Sequence, residues 1–308
     1  MFGLLAFLAA CSVKTVRGES SSEVKSENLS VPKIDSAQAA PQAPTVTQQP
    51  VVTTEDKGAV EFCNRSLNAM PGKTNFEEIK KICDQVKQLP NCQSVAGDPI
   101  FHYDHLTSMS HPKKILVFAN IHGDEDPSGS LAREWMIRVN ALENPRNHWR
   151  VVPLLNPDGM KLHTRTNKNG IDLNRNFPTK DWDELAVKSW KEVSKSHIRR
   201  FPGHKGGSEP EVHCAISHIE EYAPDFVISI HTPLAVLDFD GPKVEFPKFE
   251  YLPWKSLGTF PGSLGRYLWN ERKIPVLTVE LRATLPEKTS TIENLQDVLG
   301  ELSALVSK

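Results

Sequence analysis

Excess positive charge is missing from this chain: 36 Lys and Arg stand against 38 Asp and Glu, a formal net charge of −2. Basic residues are not interleaved with aromatics either, so nothing points to nucleic acid as a partner. Long apolar runs are also missing. The stretch from Phe2 to Ala10 is too short to span a bilayer. Cysteines number 5, with none in C-x-x-C spacing, which argues against a cysteine-based zinc site. No internal repeat is visible.

What the chain does have is divided unevenly. Hydrophobic residues make up 39% of 308 residues and concentrate after about position 95, enough to bury a full core. The beginning differs. Leu8-Ala9-Ala10-Cys11 resembles the lipobox of bacterial lipoproteins, in which the Cys becomes the lipidated first residue, although no Lys or Arg precedes Cys11. From Gly18 to about Asp56 the chain is rich in Ser, Glu, Gln, Pro, Thr and Val and nearly free of aromatics. Such a segment cannot bury enough apolar surface to offset ordering and reads as a flexible tether. The expected organisation is a lipoprotein-type signal segment at 1–11, a disordered tether at 12–57 and a single folded domain at 58–308. That places a monomeric domain outside the cytoplasm, held to a membrane through a lipid on Cys11. Disulfides persist there. Cys63, Cys83 and Cys92 cluster, so one bridge among them is expected, whereas Cys214 reads as a buried thiol on an amphipathic helix.

Periodicity then predicts alternating elements. Helices are expected over Asn75 to Gln88, Ser128 to Leu142, Gly262 to Arg272 and Thr291 to Leu305. Another runs to Tyr222 and opens on Ser208-Glu-Pro-Glu211, read as a capping box. Strands are expected over Ser94 to Tyr103, Lys113 to Ile121, Trp149 to Leu155, Asp225 to Ile230 and Pro275 to Leu281. The fold class is therefore α/β, with a mixed, mainly parallel twisted sheet and helices on both faces.

Chemistry-bearing residues gather at the ends of these strands. His122-Gly-Asp-Glu125 follows the apolar run Ile115 to Phe118. An imidazole and a carboxylate three residues apart at a strand's C-terminal end suit a catalytic zinc that keeps one position open. Asn156-Pro-Asp-Gly159 closes the next strand and could equally be a plain β-turn. Arg165 and Arg175 lie in an Asn-rich loop and suit bidentate capture of a carboxylate. His231 and Glu280 each end an apolar strand. His102, His105, His148 and His163 have no ligand spacing and read as surface residues.

The ordered set resembles the M14 zinc carboxypeptidases, the carboxypeptidase A-like or funnelin group. The matching pieces are His122-x-x-Glu125, Asn156-Pro-Asp-Gly159, Gly170-Ile-Asp-Leu-Asn-Arg-Asn-Phe177, His231 after Ile-Ser-Ile, and Thr278-Val-Glu-Leu-Arg282. The lipoprotein start and Pro261-Gly-Ser-Leu-Gly265 look most like bacterial murein-peptide members. The resemblance implies one Zn²⁺ per chain on His122, Glu125 and His231, with Asp172 orienting His122. It implies Glu280 as general base and Arg165 as stabiliser of the oxyanion. Asn174 and Arg175 would clamp the substrate's terminal carboxylate. It also implies cis peptide bonds at Thr232–Pro233 and after Arg282. One departure stands out: the family's mobile Tyr is missing from Ser256-Leu-Gly-Thr-Phe260. Asp238 and Asp240, just past His231, have two open readings: contacts for a substrate ammonium such as that of diaminopimelate, or solvated acids of a hairpin turn.

The leading expectation is a peptidase acting on peptidoglycan stem peptides at the γ-D-glutamyl–meso-diaminopimelate bond. Alternatives are a general protein or peptide carboxypeptidase, an amidohydrolase similar to succinylglutamate desuccinylase and aspartoacylase, and a non-catalytic cell-wall-binding module.

Overall fold

The computed structural model describes residues 54–73, 75–286 and 288–306. Cys11 and most of the expected tether lie outside these residues. Helix α1 (Thr54–Ala69) already begins within the tether's last expected positions. It is followed by α2 (Phe76–Cys83), capped by Asn75, whose side chain accepts from Glu78 N–H. The chain then forms a hairpin, β1 (Lys87–Gln93) and β2 (Pro99–His105). This corrects two expectations. The α2 pattern stops at Cys83, and the single strand expected over Ser94 to Tyr103 is the hairpin's turn plus its second arm.

Next come β3 (Lys114–Phe118), α3 (Asp126–Asn140), β4 (His148–Val152), α4 (Pro157–Leu162), α5 (Trp182–Glu192), α6 (Pro210–Tyr222), β5 (Phe226–His231), β6 (Val236–Asp240), β7 (Val276–Glu280) and α7 (Thr289–Leu305). The seven strands form one sheet in the order β1-β2-β4-β3-β5-β7-β6. Its four central strands are parallel, and β1, β2 and β6 add antiparallel edges.

Central strands of such a sheet are buried on both faces, so they read as continuous apolar runs. In β3, Ile115 and Val117 face a core built from α1, α2, α3 and α7. Leu116 and Phe118 face the other, built from α6 and a π-wound turn at Arg266–Arg272. The expected two-sided α/β sandwich is therefore formed. The consequence for function is that β3, β5 and β7 lie side by side and deliver their C-terminal ends to one edge.

Two further details differ from expectation. At α6 there is no capping box: Glu209 holds the N-cap position without a side-chain cap bond, and Pro210 starts the helix. The Ser208 hydroxyl donates instead to Glu209 Oε1 at 2.6 Å, and Glu211 turns inward to accept Val95 N–H at 3.1 Å. Cys214 is not a free thiol. It is bonded to Cys92, because α6 packs on β1, while Cys63 joins Cys83 as one bridge of the expected cluster. Among the described residues no helix is long and apolar enough to cross a membrane.

Candidate metal centre and substrate cavity

Beyond Phe118 the chain turns sharply through the His122–Glu125 segment. That turn packs directly on the Asn156–Gly159 turn. A Cβ added to Gly123 would sit 2.0 Å from the Gly159 carbonyl carbon, so the contact requires a residue without a side chain. Asn156-Pro-Asp-Gly159 is no plain β-turn. The Asn156 side chain caps α4 by accepting Gly159 N–H at 2.9 Å. Its amide also donates to Ile121 O and Arg165 O, tying the ligand turn to the arginine loop. Asp158, buried, accepts Ser94 Oγ and Ala96 N–H and fixes the same corner to the first hairpin.

Register completes the constellation. His231 and Glu280 are directly opposed across the β5–β7 pair. Donor atoms of His122, Glu125 and His231 all lie within 4.8 Å of one another, and all three residues are buried. His122 Nδ1 is 2.8 Å from Glu125 Oε1, and His231 Nδ1 is 3.0 Å from Glu125 Oε2. The two ring nitrogens face each other at 3.2 Å. Donors around one tetrahedral zinc lie about 3.3 Å apart, given Zn–N and Zn–O bonds of about 2.0–2.2 Å. The three side chains therefore fit a divalent ion with a fourth position open. Burial raises the Glu125 pKa, but His122 and His231 beside it hold it below the usual carboxylate range, so it is ionised. At His122, burial and the Arg165 cation act downward. Glu125 and Asp172 outweigh them and hold it above the usual imidazole value.

A layer of supporting contacts surrounds the donors. Asp172, fully buried, sits 3.3 Å from His122 Nε2 and accepts Arg165 Nε–H at 2.9 Å. Asp172 thus stands within ion-pair reach of His122 Nε2, without forming a hydrogen bond to it. Sequence reasoning missed the counterpart for His231: Ser229 Oγ lies 2.9 Å from His231 Nε2. Its signal was period two along β5, which puts Ser229 and His231 on one face. Thr232 N–H, also unanticipated, donates to Glu125 Oε2 at 3.2 Å. The Thr232–Pro233 bond is cis as expected, and it is the sole cis bond among the described residues, so the one expected after Arg282 is not formed.

A cavity of about 340 Å³ opens over the donors. Arg165, Asn174, Arg175, Asp238, Asp240 and Glu280 all line it. Glu280 Oε2 accepts Leu234 N–H at 3.3 Å. Arg165 Nη1 reaches 3.5 Å from Glu125 Oε1, beside the donor cluster. Asn174 is fixed by Leu264 N–H, which donates to its Oδ1 at 2.8 Å. Arg175 lies over the Phe260 ring, 4.3 Å from its centroid. Burial, with Arg165 and Arg200 nearby, depresses the Arg175 pKa to about 10 despite Asp172. No carboxylate pairs with that guanidinium among the described residues, so it favours an incoming anion. Gly262, at φ 77°, would place a Cβ 2.0 Å from Arg175 O and so lets the Phe260 loop close on this wall.

Asp238 and Asp240 belong to a strand, not to a hairpin turn. Alternation along β6 puts both on one face. Burial raises the Asp238 pKa; burial and then Asp238 push that of Asp240 up to about 6. The expected gap left by the missing Tyr is filled by Leu257, Gly258, Thr259 and Phe260, which line the cavity where a phenol was sought. Sequence reasoning also missed Arg200 as a lining residue. Among the remaining histidines His102 is a correction. It is 1% exposed, its ring packed edge-on against His218 at 4.9 Å under α6.

The zinc carboxypeptidase family model, Peptidase_M14, matches residues 84–239, half of the chain; Glu280 lies beyond that span and rests on the β5–β7 register. Murein peptide amidase A of Vibrio campbellii (strain ATCC BAA-1116) is 33% identical over 202 residues, which is 61% of this chain and 77% of that protein. The protein of the same name from Escherichia coli (strain K12) is 38% identical over 125 residues, 40% of this chain and half of that relative's length. The crystal structure of murein-tripeptide amidase from Escherichia coli O157 superposes with a TM-score of 0.53 at 25% identity, covering 79% of this chain and 97% of that one. A family model spanning half the chain, and a relative aligned over most of its length, leave one assignment: the chain belongs to the M14 zinc carboxypeptidase family and is a hydrolase.

Proposed function

We propose that this hydrolase cleaves peptidoglycan stem peptides at the γ-D-glutamyl–meso-diaminopimelate bond, on the outer side of a membrane to which Cys11 anchors it. The observation that carries the reading is the charge layout of one cavity. Arg175, half-buried and with no carboxylate partner among the described residues, offers itself to a terminal carboxylate, while Asp238 and Asp240 offer an acidic wall for an ammonium. Diaminopimelate at the end of a peptide presents both groups. Relatives named murein peptide amidases support the same substrate class.

The chain's own residues divide the reaction as follows. His122, Glu125 and His231 would hold Zn²⁺, which when bound lowers the pKa of a water molecule and polarises the scissile carbonyl. Asn174 and Arg175 fix the free carboxylate of the leaving residue, so the bond cleaved is the last one. Glu280 takes the proton of the attacking water and returns it to the departing amine. Arg165, held by Asp172, stays charged and faces the developing oxyanion. Burial of the donor cluster keeps bulk water from screening these contacts.

Digestion of purified muropeptides by metal-loaded and chelator-treated protein, read by mass spectrometry, tests the proposal. Release of diaminopimelate from tripeptides by the loaded protein is the expected result. Equal cleavage of ordinary peptides would shift the reading to a general carboxypeptidase, and cleavage that survives chelation would remove the metal from it.

A further inference from the structure

Three arginines line the cavity, and two of them have tasks in the reaction above. Arg200 has none. It ends a single 3₁₀ turn, Ile198–Arg200, and that turn is firmly held. Arg200 N–H donates to His197 O at 2.9 Å, and Trp190 Nε1–H donates to the same carbonyl at 2.9 Å. Arg199 pairs with Asp124 at 2.6 Å, inside the ligand turn between His122 and Glu125. The next residue, Phe201, accepts Asp172 N–H through its carbonyl at 2.8 Å. The backbone under Arg200 is thus tied to both sides of the metal centre. Its side chain is exposed at the cavity, and its guanidinium has no ion pair or hydrogen bond among the described residues.

A cation on the cavity rim, carried on a fixed backbone turn and lining the same cavity as Arg165 and Arg175, suits a second anion there. A substrate with an anionic group beyond the terminal carboxylate on Asn174 and Arg175 would meet this cation. We propose that Arg200 is a specificity-determining residue that binds a second carboxylate of the substrate. This rests on the stem-peptide reading. A γ-D-glutamyl–diaminopimelate peptide has two such groups near its scissile bond. One is the distal carboxylate on the diaminopimelate side chain, beside the ammonium that Asp238 and Asp240 would take. The other is the α-carboxylate of the D-glutamyl residue.

The test uses the full protein, loaded with zinc, and three synthetic tripeptides. They are the parent ending in γ-D-glutamyl-meso-diaminopimelate, its analogue amidated at the distal carboxylate, and its analogue amidated at the D-glutamyl α-carboxylate. Wild type, Arg200→Ala and Arg200→Lys are compared by kcat/KM. A hydrogen-bonded charge pair corresponds to about a ten- to hundred-fold effect. Arg200→Ala should lose that factor on the parent, mainly in KM, and wild type should lose the same factor on one amide. On that amide the two enzymes should converge, which identifies the carboxylate read; Arg200→Lys should recover part of the loss on the parent. Arg200→Ala with unchanged kcat/KM on the parent, or with equal losses on all three peptides, overturns the inference while leaving the stem-peptide reading intact. Wild type that cleaves none of the three overturns both.

Discussion

Replacing Asp172 by Asn separates the positioning of the metal site from its chemistry. Asp172 is fully buried and faces three donors: Arg165 Nε at 2.9 Å, Asn174 N at 3.0 Å and His122 Nε2 at 3.3 Å. Its carboxyl stays ionised, well below the usual range. Burial opposes that state, and Arg165 and then His122 more than compensate. An Asn of the same shape keeps one acceptor oxygen and turns an N–H₂ toward a donor, so either Arg165 or His122 loses its partner. Leaving one such donor unmet inside the protein costs about 1–3 kcal/mol. Arg165 keeps a contact to Glu125 at 3.5 Å, which argues for the middle of that range. At about 2–4 °C per kcal/mol for a domain of this size, melting should fall by about 4–8 °C. Loss of the carboxylate behind a ligating imidazole typically weakens metal binding about 10–100-fold. Zinc affinity is read by competition with a chromophoric chelator, and the melt by calorimetry of the metal-free protein. Unchanged zinc affinity in a variant with the expected melt would show that Asp172 only holds Arg165. Unchanged values for both would refute the geometry argued for this side of the site.

Glu280→Gln should retain zinc and fold but lose about 10²–10⁴-fold in kcat, measured on a peptide that wild type cleaves; retained turnover would remove Glu280 as the base. Asp240, with its pKa up at about 6, is neutral below that value and ionised above it. KM for a peptide bearing the free side-chain ammonium should therefore fall as pH rises from about 5 to about 7, relative to the same peptide N-acetylated there, and Asp240→Asn should abolish that difference. Glu211 is pushed up to about 7, chiefly by burial, while its bonds from Asn167 and Val95 act the other way. The folded protein then holds a proton that the unfolded chain has lost, so stability falls as pH rises from about 4.5 to about 7. The upper bound is about 3 kcal/mol. Denaturant titrations across that interval should show the decline in wild type and a flatter curve in Glu211→Gln; parallel curves would refute it.

How much of this was legible in the sequence depends on whether a residue's neighbour is set by topology that periodicity can predict. His231 and Glu280 were legible because each ends an apolar strand, His122 because it follows one closely, and parallel neighbours end on one edge. The second carboxylate behind His122 was legible through its family motif. Asp238 and Asp240 were visible as residues but not as a strand. Val236-Leu-Asp-Phe-Asp240 alternates with period two, yet its acids and Gly241 also suit a turn. Pairing with β7 is what makes it an edge strand with both acids on the cavity side. The Cys92–Cys214 bridge, 122 residues apart, and the burial of His102 follow from α6 lying on the first hairpin, a docking that no local pattern encodes. Arg200 was illegible for the same reason. It has no motif spacing, and it reaches the cavity because Arg199 pairs with Asp124 and Phe201 bonds Asp172. His231 and Glu280 sit at strand ends, where period and order reveal them. Arg200, by contrast, arrives on a connecting segment whose position is fixed by tertiary contacts to the ligand turn itself.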